Sequence, residues 1–302
     1  MEDKALSTRQ LRRWFGRVML TLLIVVALDQ LLAIGSVRLW LRLFGMPGYT
    51  QLVLLNDLSV YLPGLILLPL LLRGIPRPEP LPRAALGGQE GFLAVTFSLG
   101  AGYLAALAST GVIQLLEEIA GRESVNRVAE LEANLPPPVA IIAFVVVAPI
   151  AEEFIYRRLL LDRLRIFGDG AVLLIDGAAF GLNHGNLNQT LLAFVLGAVL
   201  SAIVLMTGRI RYTIGIHMLI NGISVLVMLC DSELIRGMLS LGVLFCMVFA
   251  LVIFFIRWKR YTLDPGPLPF TGREKVRACF STPWTWLFLL GTLGLSGYNL
   301  FH

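Results

Sequence analysis

The sequence predicts an all-α, polytopic membrane protein, a bundle of about eight or nine transmembrane helices. Hydrophobic residues make up 57% of the 302 residues and charged residues only 15%, whereas a soluble domain has about 25% charged residues. The mean hydropathy is +0.78. Apolar residues also collect in runs long enough, or nearly so, for helices that cross a hydrocarbon core, which takes about 20 residues. The approximate bounds of these nine runs are 18–34, 52–72, 91–115, 137–160, 170–184, 189–207, 212–230, 237–256 and 284–301.

The first run resembles a secretion signal because arginines precede it. No small-x-small cleavage site follows and Asp29 interrupts the run, so a retained helix is predicted. The stretch 116–135 has the charge pattern of an amphipathic surface helix, ended by Pro136 to Pro138. This helix is either a flap that contacts substrate or a plain connector. These patterns divide the chain into an N-terminal part with this surface helix (1–136), a core (137–230) and C-terminal helices (231–302).

The net charge of +5 does not indicate nucleic-acid binding, because Lys and Arg lie in short loops and form no single basic face. Every second loop is basic, which predicts a multi-pass protein of the cell membrane with a cytoplasmic N-terminus. The basic residues of these predicted cytoplasmic loops are Arg73, Arg77, Arg83, Arg157, Arg158, Arg163, Arg165, Arg209, Arg211, Arg257, Lys259, Arg260, Arg273, Lys275 and Arg277. The three cysteines form no CxxC pair and are predicted to be packing groups.

Three short polar insertions interrupt the central apolar runs. An ionisable group near the middle of a bilayer costs roughly 2.5–3.5 kcal/mol even on insertion scales, so such residues usually face the interior of a helix bundle. Two of the three histidines lie in these insertions, and the third is the terminal residue. The insertions are Glu152-Glu153 with Arg157, Phe180 with His184, and His217 with Asn221.

The first insertion contains two adjacent carboxylates. Neighbouring helix positions differ by about 100°, so Glu152 and Glu153 point in different directions. Glu153 lies four residues before Arg157, the spacing of an intrahelical ion pair. Glu152 is then left without a local partner and is a candidate general base toward water. Alternatively, both glutamates are structural counter-ions of the arginines.

The other two insertions each contain a histidine. His184 ends an apolar segment and could be a helix cap; Phe180 and Asp176 share its helix face, as a packing wall and a possible partner of Arg157. His217 and Asn221 lie one turn apart, so both could donate to one small anion and stabilise an oxyanion, or could link helices by hydrogen bonds.

Together these residues supply a base, a second imidazole and a donor pair, the groups needed for attack of water on an amide. No Gly-x-Ser-x-Gly elbow is present. A two-His, one-carboxylate zinc site using the same residues is an alternative, although no HExxH or HxxEH spacing supports it. A non-catalytic scaffold or transporter subunit with a buried polar cluster is another.

Helix geometry gives one conflict. At about 1.5 Å per residue, Glu152 and His217 lie at similar depths, but His184 lies well above them if its helix begins at the interface. The site forms only if this helix begins deeper in the cytoplasm, is strongly tilted, or follows an extension of the helix before it.

The motifs Glu-Glu-x-x-x-Arg, Phe-x-x-x-His and His-x-x-x-Asn, over about residues 137–225, resemble the signature of the CPBP family of CAAX-protease and bacteriocin-processing intramembrane endopeptidases. The resemblance implies that Glu152 and His184 activate water, that His217 and Asn221 form an oxyanion hole, and that Glu153, Arg157 and Phe180 support them. It implies no cofactor or metal, and a protein or peptide substrate cut near its C-terminus or membrane anchor. It leaves the oligomeric state open. The family bundle has about eight helices, which puts in question whether the helix near 284–301 belongs to the core.

Overall fold

The computed structural model describes residues 7–257 and 262–301, and all regular structure within these ranges is helical. Lys259 and Arg260, which belong to a predicted cytoplasmic loop, and the terminal His302 lie outside the described residues. The helices are α1 (Thr8–Phe44), α2 (Tyr49–Leu71), α3 (Gly88–Ala120), α4 (Arg127–Ala133), α5 (Pro137–Phe167), α6 (Asp169–Asn183), α7 (Leu187–Thr207), α8 (Ile210–Leu229), α9 (Glu233–Arg257), α10 (Gly272–Phe280) and α11 (Pro283–Phe301).

The prediction of an all-α polytopic bundle is confirmed. Seven helices of the described residues are long and apolar enough to cross a membrane, and an eighth span forms if α10 and α11, which meet at a 70° bend, are counted as one. Each of the nine predicted runs is helical, but not each is a span. The run 170–184 forms α6, whose 15 residues extend about 22 Å, short of a hydrocarbon core.

The prediction of one surface helix over 116–135 is wrong. The stretch contains the last turn of α3, a break, and the short α4. Gly121 ends α3 with a φ of +65°, a left-handed conformation that glycine adopts without strain. The Glu117 carboxylate then accepts a hydrogen bond from the Ser124 N–H at 2.8 Å, which turns the chain away from the helix axis. Pro137 begins α5, since the first helical position requires no N–H donor.

The main core lies around α1, whose buried face includes Leu11, Phe15 and Val18. Side chains from α2, α5, α6, α7, α10 and α11 pack on it, so all three parts of the chain contribute. A second cluster joins α3, α7 and α8 with Cys246 of α9. Apart from Cys246 and Ala250, the described side chains of α9 are not buried, as expected for a helix that faces lipid.

The helix near 284–301 belongs to the core, which answers the question raised by the helix count. In α11, Phe288 is 2% exposed and Leu300 is 1% exposed, and Thr292 and Ser296 are buried on the same face. This face packs on α1 and also contacts α6, the helix that leads to His184. The cytoplasmic position of the N-terminus and the three-part division of the chain stay predictions.

Candidate functional site

The helix that carries the glutamate pair is irregular on both sides of it. In α5, a regular turn at Ala148–Glu153 lies between two π-helical stretches, Ile141–Val147 and Phe154–Leu160. Wide turns of this kind are frequent at functional sites. Pro149 gives a local cause for the first stretch, because proline has no N–H and its ring displaces the preceding turn. The N–H of Ala148 accordingly bonds to Ala143 O, five residues back.

Asn221 satisfies the carbonyl that this geometry leaves open. In the π pattern Phe144 O would accept from residue 149, which is a proline. Instead the Asn221 amide, from α8, donates to Phe144 O at 2.8 Å. Because an amide has two N–H donors, this bond occupies one of them and leaves the second for another acceptor. Asn221 therefore links α5 to α8 and can still serve as a donor.

Glu153 is part of a fully buried charge network. The predicted pair of Arg157 and Glu153 is confirmed, with Nε to Oε2 at 3.4 Å. The suggested partner Asp176 also lies against Arg157, with Nε to Oδ2 at 3.5 Å. Arg157 further donates to Gly197 O at 3.1 Å, and the Ser201 hydroxyl donates to Asp176 at 2.5 Å. The side chains of all three charged residues are 0% exposed.

His217 lies between the two glutamates. Its Nδ1–H donates to Glu153 Oε1 at 3.1 Å, and its Nε2 lies 3.7 Å from Glu152 Oε2. The two carboxylates diverge, as the helix geometry predicts, yet they reach opposite nitrogens of one imidazole. Glu153 is buried, whereas the Glu152 side chain is 16% exposed. Glu152 is therefore the glutamate of this pair that has access to a cavity or to water.

The ring of Phe180 links His184 to His217. The Phe180 ring contacts the His184 ring edge-on at a centroid distance of 5.1 Å and the His217 ring at 5.7 Å. The Arg157 guanidinium lies 4.5 Å from the same ring. The His184 Nδ1–H donates to Phe180 O at 2.7 Å, which leaves Nε2 as the proton-accepting nitrogen. Of the conditions for forming the site, the extension of the preceding helix is met, since α5 continues to Phe167.

Glycines bring α6 and α7 close enough to place Phe180 and Asp176. A Cβ at Gly181 would lie 2.6 Å from Thr190 O, and a Cβ at Gly197 would lie 3.1 Å from Gly177 Cα. These glycines are not among the predicted site residues, although the spacing of Gly177 and Gly181 is the small-xxx-small pattern of close helix packing.

Tyr61 was also missed. From α2, its hydroxyl donates to Glu152 Oε1 at 3.4 Å. A single tyrosine in an apolar run gives no local signal of such a contact.

Within residues 7–257 and 262–301, no three His, Cys, Asp or Glu side chains are arranged to hold a metal ion. The two carboxylates at His217 face different nitrogens, and Glu153 is engaged by Arg157. Glu152 can accept a proton from water, Asn221 can donate its second N–H, and His217 with both ring nitrogens protonated can donate from Nε2. This is the chemistry of acyl-transfer hydrolysis.

Comparisons with known proteins give two matches. Residues 134–223 match the model of the type II CAAX prenyl endopeptidase Rce1-like family. A segment of 136 residues is 32% identical to a protein of Bacillus subtilis (strain 168) named "Putative membrane peptidase YdiL", covering 43% of this chain and 54% of the relative. The match thus spans about half of that relative's length. No solved structure matches the chain significantly.

Proposed function

The chain belongs to the CPBP family of CAAX-protease-type membrane proteins through residues 134–223, and from this premise we propose that it is an intramembrane endopeptidase whose nucleophile is a water molecule activated by Glu152. The observation that carries the proposal is the pair of Glu152 and His217. A partly exposed carboxylate lies 3.7 Å from an imidazole that a fully buried ion network holds in place, within an apolar span.

In the proposed reaction, Glu152, assisted by His184 through its free Nε2, takes a proton from water as the oxygen attacks the peptide carbonyl carbon. Asn221 donates its second N–H, and His217, with both ring nitrogens protonated, donates its Nε2–H, to the oxygen that becomes negative. The C–N bond then breaks, and the proton passes to the leaving amine, which gives a carboxylate and an amine as products. Preorganised donors of this kind are worth about 10²–10³ in rate each.

Glu153, Arg157 and Asp176 support the site without contacting substrate. The bond from His217 Nδ1–H to Glu153 fixes the ring, so that Nε2 faces the reacting groups. Arg157 offsets the charge of the two buried carboxylates, and its contact with Phe180 fixes the wall between the imidazoles. The proposed substrates are proteins cut near a C-terminal tail or membrane anchor, since the site lies inside the lipid-facing bundle.

The test compares protein C-termini by mass spectrometry in membranes of cells that carry the intact chain or Glu152→Gln. This variant keeps the shape of the side chain and removes the base. The matched control is Glu118→Gln, an exposed glutamate at the end of α3. We expect uncut tails to accumulate with Glu152→Gln and not with the control. The same tails in all three samples would contradict the proposal and favour a scaffold. Activity lost to a strong chelator and restored by zinc would favour the metallopeptidase.

A further inference from the structure

The carboxylate of Glu152 has a different neighbour at each oxygen. Oε2 faces His217 Nε2 at 3.7 Å, and Oε1 accepts from the Tyr61 hydroxyl at 3.4 Å. Two fixed neighbours restrict rotation of the carboxylate about its terminal bond, which is otherwise broad and nearly free. A general base works best when one oxygen is held toward the proton that it removes.

Tyr61 reaches Glu152 because α2 and α5 are in close contact one turn away. A Cβ added at Gly64 would lie 3.1 Å from Ile155 Cγ2 and 3.2 Å from Ile155 Cδ1, so the α2 backbone rests directly on this side chain. Tyr61 lies three residues before Gly64, and Glu152 lies three residues before Ile155. Pro63 is inside α2 between these contacts and removes one backbone donor there. The close approach thus places the phenol beside the carboxylate.

The Tyr61 ring is part of the core surface, while its hydroxyl is directed at the site. The side chain packs against the main core cluster around α1. A tyrosine in such a position usually finds a partner for its hydroxyl, and the partner here is the one glutamate of the pair that is not fully buried. Tyr61 lies outside residues 134–223, so the family match does not supply it.

We propose that Tyr61 is a positioning residue for Glu152, whose phenol holds Oε1 so that Oε2 is presented to the water and to His217. The inference rests on the proposed function. A hydrogen bond to a charged group contributes enough that its loss lowers a rate by about tenfold or more. Because Tyr61 acts on the base and not on substrate binding, the loss appears in kcat.

The kinetic test uses an internally quenched peptide that spans a cleavage site found in the comparison with Glu152→Gln. Tyr61→Phe removes only the hydroxyl. Tyr103→Phe is the matched control, because this tyrosine packs in the other cluster, between α3, α7 and α8. We expect kcat to fall about tenfold in Tyr61→Phe, with KM unchanged within about twofold, and no change in Tyr103→Phe. Unchanged kcat, or a loss confined to KM, overturns the inference.

A second measurement needs no substrate. The infrared difference spectrum between the intact chain and Tyr61→Phe should contain carboxylate bands that are absent when the same difference is taken in the Glu152→Gln background. Equal difference spectra in both backgrounds overturn the inference even where Tyr61→Phe is poorly active.

An intact chain that cleaves no tail overturns the proposed function and with it the role of Tyr61. Cleavage that persists unchanged in Tyr61→Phe overturns the inference alone.

Discussion

Arg157 is the positive charge of the buried network beside the glutamate pair. It lies between Glu153 and Asp176 and donates to Gly197 O, with a side chain that is 0% exposed. Removing one partner of a buried ion pair leaves an uncompensated charge in a medium of low dielectric constant, which costs more than the pair contributes. The stability of the site and the orientation of His217 are therefore coupled at this residue.

Replacing Arg157 by Met should lower the free energy of unfolding by about 3–5 kcal/mol. The control is Arg158→Met, because the Arg158 side chain is 60% exposed and forms an exposed ion pair with Asp162 at 3.4 Å. This exposed pair should contribute less than about 1 kcal/mol. Unfolding of the purified protein in detergent, followed by circular dichroism, measures both. Equal losses in the two variants would contradict the assignment of Arg157 as the central counter-ion.

Asn221→Ala should separate the structural role of this residue from its catalytic role. The bond to Phe144 O is worth about 1 kcal/mol of stability, whereas an oxyanion donor is worth about 10²–10³ in kcat. Ser224→Ala is the control, since this hydroxyl, one turn later in α8, donates to Ile220 O of the same helix. We expect a large loss of kcat only in Asn221→Ala. A decrease below tenfold, with reduced stability, would leave Asn221 as a helix linker alone.

The spacing of residues along one helix was sufficient to predict some side-chain contacts of the site and not others. The pair of Glu153 and Arg157 follows from positions four apart on one helix, and Asp176 from its place on the face of Phe180 and His184. The bond between Asn221 and Phe144 O could not be predicted, because it depends on a carbonyl that only the π-helical geometry around Pro149 leaves free. Tyr61 reaches Glu152 from a helix 91 positions away in sequence, and no local pattern encodes that distance.

Among the helices, the contact between α6 and α7 positions several groups of the site. It sets the positions of Phe180, Asp176 and the Gly197 carbonyl at once, because backbone lies on backbone where Gly177, Gly181 and Gly197 meet the opposite helix. Close approach through small residues is how helices associate in lipid, where apolar side chains gain little from one another.

A methyl group at Gly181 should therefore disturb the site without entering it. In Gly181→Ala the new Cβ would lie 2.6 Å from Thr190 O and 2.8 Å from Phe194 N, and overpacking of this kind costs about 1–3 kcal/mol. We expect a lower melting temperature and reduced cleavage. Gly215→Ala is the matched control, because nothing lies within 4 Å of its added Cβ. A melting temperature that is equal in both variants would show that α6 and α7 can separate freely.

Hydrophobicity predicted that each of the nine runs is a helix, but it could not show how each ends. The stretch 116–135 was predicted as one helix from its charge pattern, and Gly121 together with the Glu117 to Ser124 bond divides it. The π-helical stretches of α5 were not predicted either, because their sequences are as apolar as any regular span. Of these departures from regular helix, the π-helical stretches are the ones that flank the glutamate pair of the site.

Across the whole molecule, the part of the chain that carries the motifs is held by parts that the family match does not cover. The main core includes α1 and α11 on either side of residues 134–223. From α11, Asn299 donates to Gly185 O at 2.8 Å, directly after His184. Gly185 has a φ of +58°, so the turn that follows His184 depends on glycine and on this bond.

Asn299→Ala should loosen the turn that carries His184 while leaving the rest of the bundle folded. The loss of this partly buried hydrogen bond costs about 1 kcal/mol of local stability, which increases amide exchange by local opening about fivefold. Hydrogen exchange followed by mass spectrometry should show this increase in peptides covering 184–187, together with slower cleavage. Asn134→Ala is the control, because the Asn134 amide donates to Glu130 O of its own helix, at the end of α4. If exchange at 184–187 is the same in both variants, α11 does not hold His184, and the positions of α1 and α6 alone must fix it.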